Sequence, residues 1–558
     1  MTDPSVPSRR KYLGLTAMLA AAPAMAEPQE ASAAHDLGAR TYNIRDFGAK
    51  GDGRSLDTTA LQSAIDQCTK DHGGTVLVPA GTFVIGTVEM KSNVTLRVSA
   101  GATLLGTTDG KQYYAASAIP LRGDSTLGDG NVGLIFAVKA DNVTIEGPGM
   151  IDGQGKEFHS PGRGQAPPSG RGGNDRPYHL LFHQCANLTV RDIFLKASAY
   201  HSVRIIQSSY VKLDGIRIYN RVNGNNDGFH FISAEHVAMS NCDVQCQDDA
   251  CALFGSCKFI TVTNCQFSTR WSVFRFGGGE AENITISNCL IYDTYGCPVK
   301  MRCGPRSRFE NIAFSNLIMR NVTGPISIGL GPQAPVAALS GEDSAAALRA
   351  AQPPGIVRNI SFSGVQATVI DPVPQPDYPW TSGYRPGEFK TCIVLNGVDS
   401  QLEHISFDNV HVTFPGGGTA EDAAAVVPKT AGEYFELGIL PSYALYARNV
   451  RGLTLNNVRF EKSKPDLRPA VVADHVEDAA INGFSVQGDK NAQSVLRFIE
   501  SKEVMLSATR LLTPSAAFLR VEGTSSSGIL IDGGDVSKAD RAVIFDNGAA
   551  PGSAKVRG

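Results

Sequence analysis

Three aspartates and two basic residues stand at nearly equal intervals ahead of the next copy of a recurring apolar phrase. They are Asp227, Asp248, Asp249, Lys300 and Arg302. Residues at one offset in a coiled repeat share one longitudinal stripe, with neighbouring coils about 4.8 Å apart. Carboxylates packed this closely repel one another and separate their pKa values, so one stays protonated while another is ionised. Such a set can supply the acid and the base that glycoside hydrolysis requires.

The same residues have a simpler interpretation. An aspartate next to a strand often caps a turn through its own side chain. Lys300 and Arg302 could hold a substrate carboxylate or form an ordinary surface ion pair. Three aspartates at nearly the same offset from the next phrase, beside two cations, favour a catalytic site. Three independent turn caps would not be expected to share that offset.

Further candidates for substrate binding surround this stripe. Arg275 stands inside an apolar strand, where an arginine must face outward or be paired, and it is predicted to contact a sugar carboxylate. His230 faces outward in Gly-Phe-His-Phe and is either part of the site or a simple surface histidine. Asn225 either fixes the loop of the first aspartate or is a plain turn residue. Arg270 enters a strand, and Tyr443 lies on a long loop, where aromatic residues suit sugar stacking or loop packing.

The elements that must position these residues come from an internal repeat. A phrase of apolar-x-apolar-polar-Asn/Gly recurs at short and similar steps, with four steps about twice as long that suggest coils with a loop or a degenerate phrase. Alternating apolar residues indicate short strands, and the final Asn or Gly indicates a turn with left-handed backbone. The stripe of acids and cations precedes the copies at Val237, Ile260 and Ile312. All the copies begin at Val143, Leu188, Val211, Val237, Ile260, Ile284, Ile312, Ile360, Ile405, Leu453 and Ala479.

This repeat predicts an all-β fold, a single-stranded parallel β-helix. A helical solenoid would need a 3.6-residue periodicity, which the sequence lacks. A propeller would need about 40 residues for each blade, which paired coils could imitate but the shorter steps contradict.

A capping helix is predicted ahead of the coils. The segment after Asp57, the expected N-cap, has one apolar face. An open solenoid end exposes strand edges and core, so an amphipathic helix is expected to cover it. The apolar face comprises Leu61, Ala64, Ile65 and Cys68.

The N-terminus is predicted to be an export signal. Paired arginines at 9–10 precede a short apolar run and a small-residue cleavage site that ends at Ala26. The arginine pair indicates the twin-arginine type, and hence a periplasmic or secreted protein. We therefore expect a signal peptide at 1–26, a linker at 27–41 and one β-helix domain with long loop insertions at 42–558.

The composition of the chain argues against several classes of partner and cofactor. A net charge of −3 provides no global cationic field for nucleic acid, and no apolar run is long enough to span a membrane. The 11 cysteines indicate stacked buried positions in successive coils, with a zinc site at Cys242, Cys246, Cys251 and Cys257 as the alternative. Twin-arginine export carries folded protein, which argues against dependence on disulfides. We expect a monomer without a metal or cofactor.

Several motifs resemble those of a known enzyme family. Tyr-Asn-Ile-Arg-Asp-Phe-Gly-Ala-Lys-Gly-Asp-Gly at 42–53 and Gly-Gly-Thr-Val-Leu-Val-Pro-Ala-Gly at 73–81 resemble the opening of pectin-active right-handed β-helix enzymes. Gly-Pro-Gly-Met-Ile-Asp-Gly-Gln-Gly at 147–155 is similar to glycoside hydrolase family 28, the polygalacturonases and rhamnogalacturonan hydrolases. Asn-Asn-Asp at 225–227 and Gln-Asp-Asp at 247–249 resemble its N-x-D and G-D-D motifs.

The resemblance extends over about residues 42–490. It implies a right-handed parallel β-helix and an inverting mechanism. It implies that Asp248 is the general acid and that Asp227 and Asp249 together hold the attacking water. The substrate would be an acidic plant-type polysaccharide or oligosaccharide. Long loops that close a groove would favour exo action.

Two motifs depart from the family pattern. The His-Gly expected one coil after the aspartate pair is replaced by Thr-Arg-Trp-Ser-Val at 269–273. The R-x-K motif appears as Pro-Val-Lys, ending at Lys300, or is shifted to Lys-Met-Arg, ending at Arg302. His230 stands where the family often has an acid and could partly replace the missing histidine. We expect retained hydrolytic chemistry with an altered glycone subsite.

Three functions fit these residues. The first is an inverting hydrolase of a pectic or related uronic-acid-containing polysaccharide or oligosaccharide. The second is a polysaccharide lyase on the same scaffold, with Arg275 or Lys300 as base and Ca²⁺ on the acids. The third is a carbohydrate-binding β-helix without turnover.

Overall fold

The computed structural model of the protein describes residues 37–116, 130–160, 165–332, 352–374 and 391–557. These residues form a right-handed parallel β-helix, which confirms the predicted fold class. The predicted signal peptide at 1–26 and most of the predicted linker lie outside the described residues. No helix in the described part of the chain is long and apolar enough to cross a membrane.

The predicted capping helix is the α-helix Thr58–Lys70. Asp57 occupies the N-cap position, but its carboxylate accepts the backbone N–H groups of Lys50 and Gly51, at 2.7 and 3.0 Å. Asp57 therefore ties the preceding loop to the start of the helix. The face buried against the first coils comprises Ala60, Leu61, Ala64, Ile65 and Cys68.

The first of three parallel sheets contains the copies of the recurring phrase. The copies pair in register, Val237 with Ile260 and Ile312 with Ile360, so the long step between the last two is one coil with an inserted loop. The strands that belong to this sheet alone are Thr41–Asn43, Gly74–Val78, Val94–Val98, Thr144–Glu146, Ala186–Arg191, Ser209–Asp214, Glu235–Ser240, Cys257–Thr263 and Ala554–Arg557.

The second sheet follows the turn at the end of each phrase. Its separate strands are Asp52–Leu56, Gly81–Ile85, Ala102–Gly106, Met150–Asp152, Phe194–Lys196, Arg217–Asn220, Asp243–Cys246, Gln266–Thr269 and Ser485–Val486. Longer strands bend from one sheet into the next, namely Glu280–Thr294, Arg308–Val322, Ile356–Val369, Leu402–Phe414, Leu445–Lys462, Val471–Asn482, Lys502–Leu511 and Ser527–Asp535.

The third sheet carries the candidate site, and we call it the site sheet. Its strands are Val88–Glu89, Gly133–Val138, Tyr178–His183, Val203–Ile206, Phe229–Ile232, Cys251–Phe254, Phe274–Gly277, Val299–Cys303, Ile326–Leu330, Ile393–Gly397, Leu496–Ile499, Ser515–Glu522 and Ala539–Asp546. Loops enter and leave the solenoid around this sheet. They contain the short α-helices Ala420–Ala423 and Tyr434–Leu437, and the 3₁₀ helices elsewhere are Ile44–Phe47, Gly110–Gln112, Gly155–Phe158, Gly173–Asp175 and Pro551–Ser553.

The residue that ends each phrase turns the chain with left-handed backbone, as predicted. The φ angle is 57° at Asn241, 56° at Asn264 and 55° at Asn288. Asparagine tolerates this conformation better than other residues with a side chain. The amides also bond along the solenoid, since Asn316 donates to Asn288 at 3.1 Å.

The cysteines that follow these asparagines are buried and stacked, as predicted. The backbone N–H of Cys242 donates to Sγ of Cys265 at 3.5 Å, and Cys289 lies on the next coil. All 11 cysteines are buried free thiols. They serve as small apolar core residues.

Candidate active site

The candidate residues project from the outer face of the site sheet. Its consecutive strands pair residue by residue, which places Arg204, His230, Ala252, Arg275 and Lys300 in one outward row. The alternate residues point into the hydrophobic core, as the strand periodicity predicts. These inward residues include Phe229, Phe231, Cys251 and Leu253.

Asp227 and Asp249 occupy equivalent positions in adjacent coils. Each stands two residues before its strand, and those strands pair Phe229 with Cys251. The backbone N–H of Gly228 donates to the carbonyl of Asp249 at 3.0 Å, which continues the pairing toward the two acids. Both side chains are buried. The backbone positions of the two aspartates are therefore neighbours, about one strand spacing apart.

Asp248 is half-buried beside this pair, and its Oδ1 accepts the backbone N–H of Asp249 at 2.9 Å. Removal from water and then the charge of Asp249 raise the pKa of Asp248 to about 7, against the opposing charge of Lys300. The pKa of Asp249 is also raised by burial, but Lys300 and Arg275 both oppose that increase. Of Asp248 and Asp249, Asp248 is therefore the carboxyl group that keeps its proton toward neutral pH.

The loop of Asp227 is fixed by Asn226, a residue that sequence reasoning missed. Its amide oxygen accepts two backbone N–H groups at 3.0 and 2.6 Å, and its amide nitrogen donates to two carbonyls at 3.0 and 2.8 Å. Asn225, predicted for this role, is exposed, has a left-handed φ of 53° and accepts from Arg176 at 3.2 Å. The partners of Asn226 are Val222, Asn223, Ser198 and Tyr200.

Two histidines contact the carboxylate of Asp227. Nδ1 of His230 lies 2.8 Å from Oδ2, and Nε2 of His201 lies 3.6 Å from Oδ1. The two rings stack, and Phe254 stacks on the other side of His230 with ring centroids 5.1 Å apart. Burial, followed by the charges of Arg204 and Arg275, lowers the pKa of His230 well below its usual range. His230 is therefore neutral at neutral pH, and the tautomer protonated at Nδ1 can donate its N–H to the carboxylate of Asp227.

His201 was missed in the sequence, although the same offset identifies it. It precedes Val211 by the same interval as Asp227 precedes Val237. The pairing of Val203 with Phe229 confirms that His201 and Asp227 are neighbours on the stripe. Burial lowers the pKa of His201 well below its usual range as well.

These two histidines and Asp227 are the group of described residues whose potential metal-binding atoms converge, within 4.8 Å of one another. An imidazole binds an ion with a lone pair in the plane of its ring. The rings of His201 and His230 are nearly parallel, at 13° with centroids 4.5 Å apart, and cannot both aim such a lone pair at one ion. The arrangement suits orientation of the Asp227 carboxylate better than metal binding.

The cations of the stripe have an internal partner, Glu433, from the loop 415–444. Lys300 Nζ donates to one carboxylate oxygen at 3.2 Å, and Arg302 Nη1 donates to the other at 3.0 Å. Arg275 Nη2 lies 4.0 Å from Glu433, and Arg302 also pairs with Glu436 at 3.1 Å. Burial alone would raise the pKa of Glu433, but the three cations lower it to about 2. Sequence reasoning missed Glu433, which lies 133 residues from Lys300 and in none of the motifs.

The two remaining candidates make other contacts. The guanidinium of Arg270 lies over the ring of Tyr295, 5.2 Å from its centroid. Tyr443 is 1% exposed within the hydrophobic core, and its hydroxyl donates to the carbonyl of Gln487 at 2.7 Å. The structure therefore places Tyr443 in the core and not at the candidate site.

Comparison with known families confirms the resemblance seen in the motifs. Residues 68–331 match the family described as Glycosyl hydrolases family 28. An exo-poly-alpha-D-galacturonosidase of Dickeya chrysanthemi is 29% identical over 273 residues, which cover 44% of this chain and 43% of the relative. An exopolygalacturonase of Arabidopsis thaliana is 28% identical over 51% of this chain and 66% of the relative. The chain thus spans less than two thirds of the length of these relatives.

Solved structures share the fold. An exopolygalacturonase of Thermotoga maritima superimposes with a TM-score of 0.57 at 18% identity, over 76% of this chain and 92% of the other. A family 28 exopolygalacturonase of Yersinia enterocolitica gives a TM-score of 0.56 at 18% identity, over 79% of this chain and 78% of the other.

Proposed function

We propose that this chain is an inverting glycoside hydrolase of a pectic or related uronic-acid-containing polysaccharide or oligosaccharide. The match to glycosyl hydrolases family 28 and the names of the relatives support this activity. The observation that carries the proposal is the meeting of three aspartates: Asp227 and Asp249 hold equivalent positions on adjacent coils, and Asp248, whose pKa is raised to about 7, stands beside Asp249. This is the acid and base set that inverting hydrolysis requires.

In the proposed reaction, Asp248 gives its proton to the glycosidic oxygen as the bond from that oxygen to the anomeric carbon breaks. Asp227 and Asp249 hold a water on the opposite face of the sugar ring. That water attacks the anomeric carbon while one of the two carboxylates accepts its proton. The N–H of His230 keeps the Asp227 carboxylate oriented and favours its ionised form.

We also propose exo action. The loop 415–444 brings Glu433 onto Lys300, which lies two strands beyond the Asp249 coil, or about 10 Å along the stripe. A loop this close to the aspartates favours cleavage near the end of a polysaccharide chain. A product time course on a long pectic chain should give small products from the first minutes, whereas rapid mid-chain cleavage would contradict exo action.

The activity is tested with defined pectic oligosaccharides and two readings of the product. We expect new reducing ends without unsaturated sugars, and NMR should show the inverted anomer before mutarotation. Unsaturated products that disappear with a chelator would instead indicate the lyase. The placement of Lys300 against Glu433 does not favour its use as a lyase base.

The Asp248→Asn variant completes this test. We expect a loss of activity of about 10²- to 10⁴-fold, the usual contribution of a general acid. Asp192→Asn is the matched control, because Asp192 is an exposed aspartate on the turn of another coil. Full activity in Asp248→Asn would contradict the assignment of the acid.

We further propose that the protein is monomeric and is exported to the periplasm or the medium by the signal at 1–26. Replacing both Arg9 and Arg10 by lysine should leave the protein in the cytoplasm of the producing cell. Light scattering of the purified protein checks the monomer.

A further inference from the structure

We infer that the sugar subsite beside Asp249, on the side of Lys300, accepts a sugar without a free carboxylate. Glu433 of the chain itself occupies the place of a uronate carboxylate on the cations of the stripe. This inference rests on the proposed hydrolase function and specifies its substrate further.

Glu433 uses the donors that a sugar carboxylate would need. Lys300 and Arg302 each bond one of its oxygens, at 3.2 and 3.0 Å, and Arg275 lies 4.0 Å away. The Lys300 side chain is only 3% exposed, and those of Arg302 and Arg275 are 11% and 12% exposed. Little of these cations is therefore left for a ligand.

Most of the positive charge of the cluster is matched within the chain. Glu433 and Glu436 pair with the cations, and Asp249 also interacts with Lys300 and Arg275. Little positive charge of the subsite is therefore left without an acidic partner. A second carboxylate would be desolvated beside Glu433 without a cation of its own, which is costly in a buried site.

The backbone around Glu433 holds it in place. Glu433 is the N-cap of Tyr434–Leu437, and its backbone N–H donates to Glu436 Oε2 at 2.6 Å. The hydroxyl of Tyr434 donates to the carbonyl of Cys392 at 2.7 Å, within the core. Moving the Glu433 side chain aside would break its bonds to Lys300 and Arg302 and leave both cations buried with less compensation, so the carboxylate is a fixed part of the subsite.

The substrate consistent with this site has uronates elsewhere and a neutral residue next to the cleaved bond. A set of galacturonate trisaccharides, each with one residue reduced from carboxylate to primary alcohol, tests this directly. The members share linkage, length and ring configuration. Reduction at one position should raise kcat/KM at least about tenfold over the all-acid trisaccharide. If reduction at every position lowers kcat/KM or leaves it unchanged, the inference is overturned.

Binding to Asp248→Asn separates this inference from the proposed function. Calorimetry with the same trisaccharides should show about tenfold tighter binding of one reduced member, whether or not the wild-type protein turns it over. Absence of hydrolysis with every member would overturn the proposed function alone. Equal or tighter binding of the all-acid trisaccharide would overturn the inference alone.

Glu433→Gln reverses the expected preference, because it keeps the shape of the side chain and removes its charge. The all-acid trisaccharide should gain at least about tenfold in kcat/KM relative to the reduced one. Glu421→Gln is the control, since Glu421 is an exposed glutamate of the same loop. An unchanged preference in a folded Glu433→Gln variant would overturn the inference, and the wild-type comparison decides if that variant does not fold.

Discussion

Nδ1 of His230 lies 2.8 Å from Oδ2 of Asp227, three residues earlier in the chain. Burial keeps His230 neutral, so the tautomer protonated at Nδ1 can donate one N–H to the candidate base. The segment 269–273, where the related family has its histidine, has none. A histidine therefore contacts the aspartate cluster from a different coil, which fits an altered site with retained chemistry.

Replacing His230 by phenylalanine tests whether this donor matters. Phenylalanine preserves the stacking between His201 and Phe254 but removes the hydrogen bond to Asp227. We expect kcat to fall about tenfold with little change in KM, since a general base typically contributes 10²- to 10⁴-fold and only its orientation is disturbed. Loss of the donor also raises the pKa of the Asp227 carboxyl, so the acidic limb of the pH profile should move to higher pH.

His236 provides a matched control for this change. Its ring stacks between Tyr210 and Phe259, at 4.9 and 5.0 Å, on the first sheet and away from the aspartates. His236→Phe should leave kcat and the pH profile as in the wild-type protein. A purely structural role of His230 would instead lower the stability of His230→Phe without moving the acidic limb.

The pH dependence of kcat/KM should follow the protonation of Asp248. The raised pKa of about 7 means that the acid is protonated below this pH and loses its proton above it. Activity should therefore fall as the pH rises through about 7, by tenfold for each further pH unit. Glu433 contributes to the raised pKa, so Glu433→Gln should move this limb to lower pH. A flat profile between pH 6 and pH 9 would contradict the role of Asp248.

The stripe of acids could be predicted from the sequence because a solenoid converts equal offsets into spatial neighbours. The offsets of Asp227 and Asp249 from the next phrase differ by one residue, and their coils nevertheless place them in equivalent positions. The same argument applied to His201 would have found the second ring beside Asp227. His201 lies in none of the motifs quoted above, so the offset was the available signal.

Glu433 could not be found in this way. It reaches the stripe through a loop, and loops do not follow the period that fixes the coils. The placement of Tyr443 failed for a related reason, because its position on a long segment suggested exposure although its ring fills the core. The periodicity therefore predicts which residues meet on the solenoid. Contacts made by inserted loops cannot be predicted from it and are seen only in the three-dimensional structure.

The same raised pKa of Asp248 predicts a gain in stability when the acid is removed. In the unfolded chain this carboxyl ionises near its ordinary pKa of 3.8, whereas in the folded protein it ionises near 7. The folded state thus holds the extra proton between these values, and stability falls as the pH rises through this range. Asp248→Asn keeps the oxygen that accepts from Asp249 and should be more stable by about 4 kcal/mol at pH 8.

This difference should shrink as the pH falls and disappear below about pH 3, where Asp248 is protonated in both states. Urea unfolding at the two pH values measures it, with Asp192→Asn as the exposed control that should change little at either. An equal free energy of unfolding for wild type and Asp248→Asn at pH 8 would show that the ionised carboxylate of Asp248 does not destabilise the folded protein.

The left-handed turn at Asn288 should set a measurable part of the stability of the solenoid. Its φ is 55°, and its side-chain oxygen accepts from Asn316 of the next coil at 3.1 Å. Alanine loses this bond and is strained in the left-handed region by about 1–2 kcal/mol, whereas glycine loses the bond without the strain. We expect Asn288→Ala to lower the free energy of unfolding by about 1 kcal/mol more than Asn288→Gly. Equal urea midpoints for the two variants would mean that backbone conformation at this corner does not limit stability.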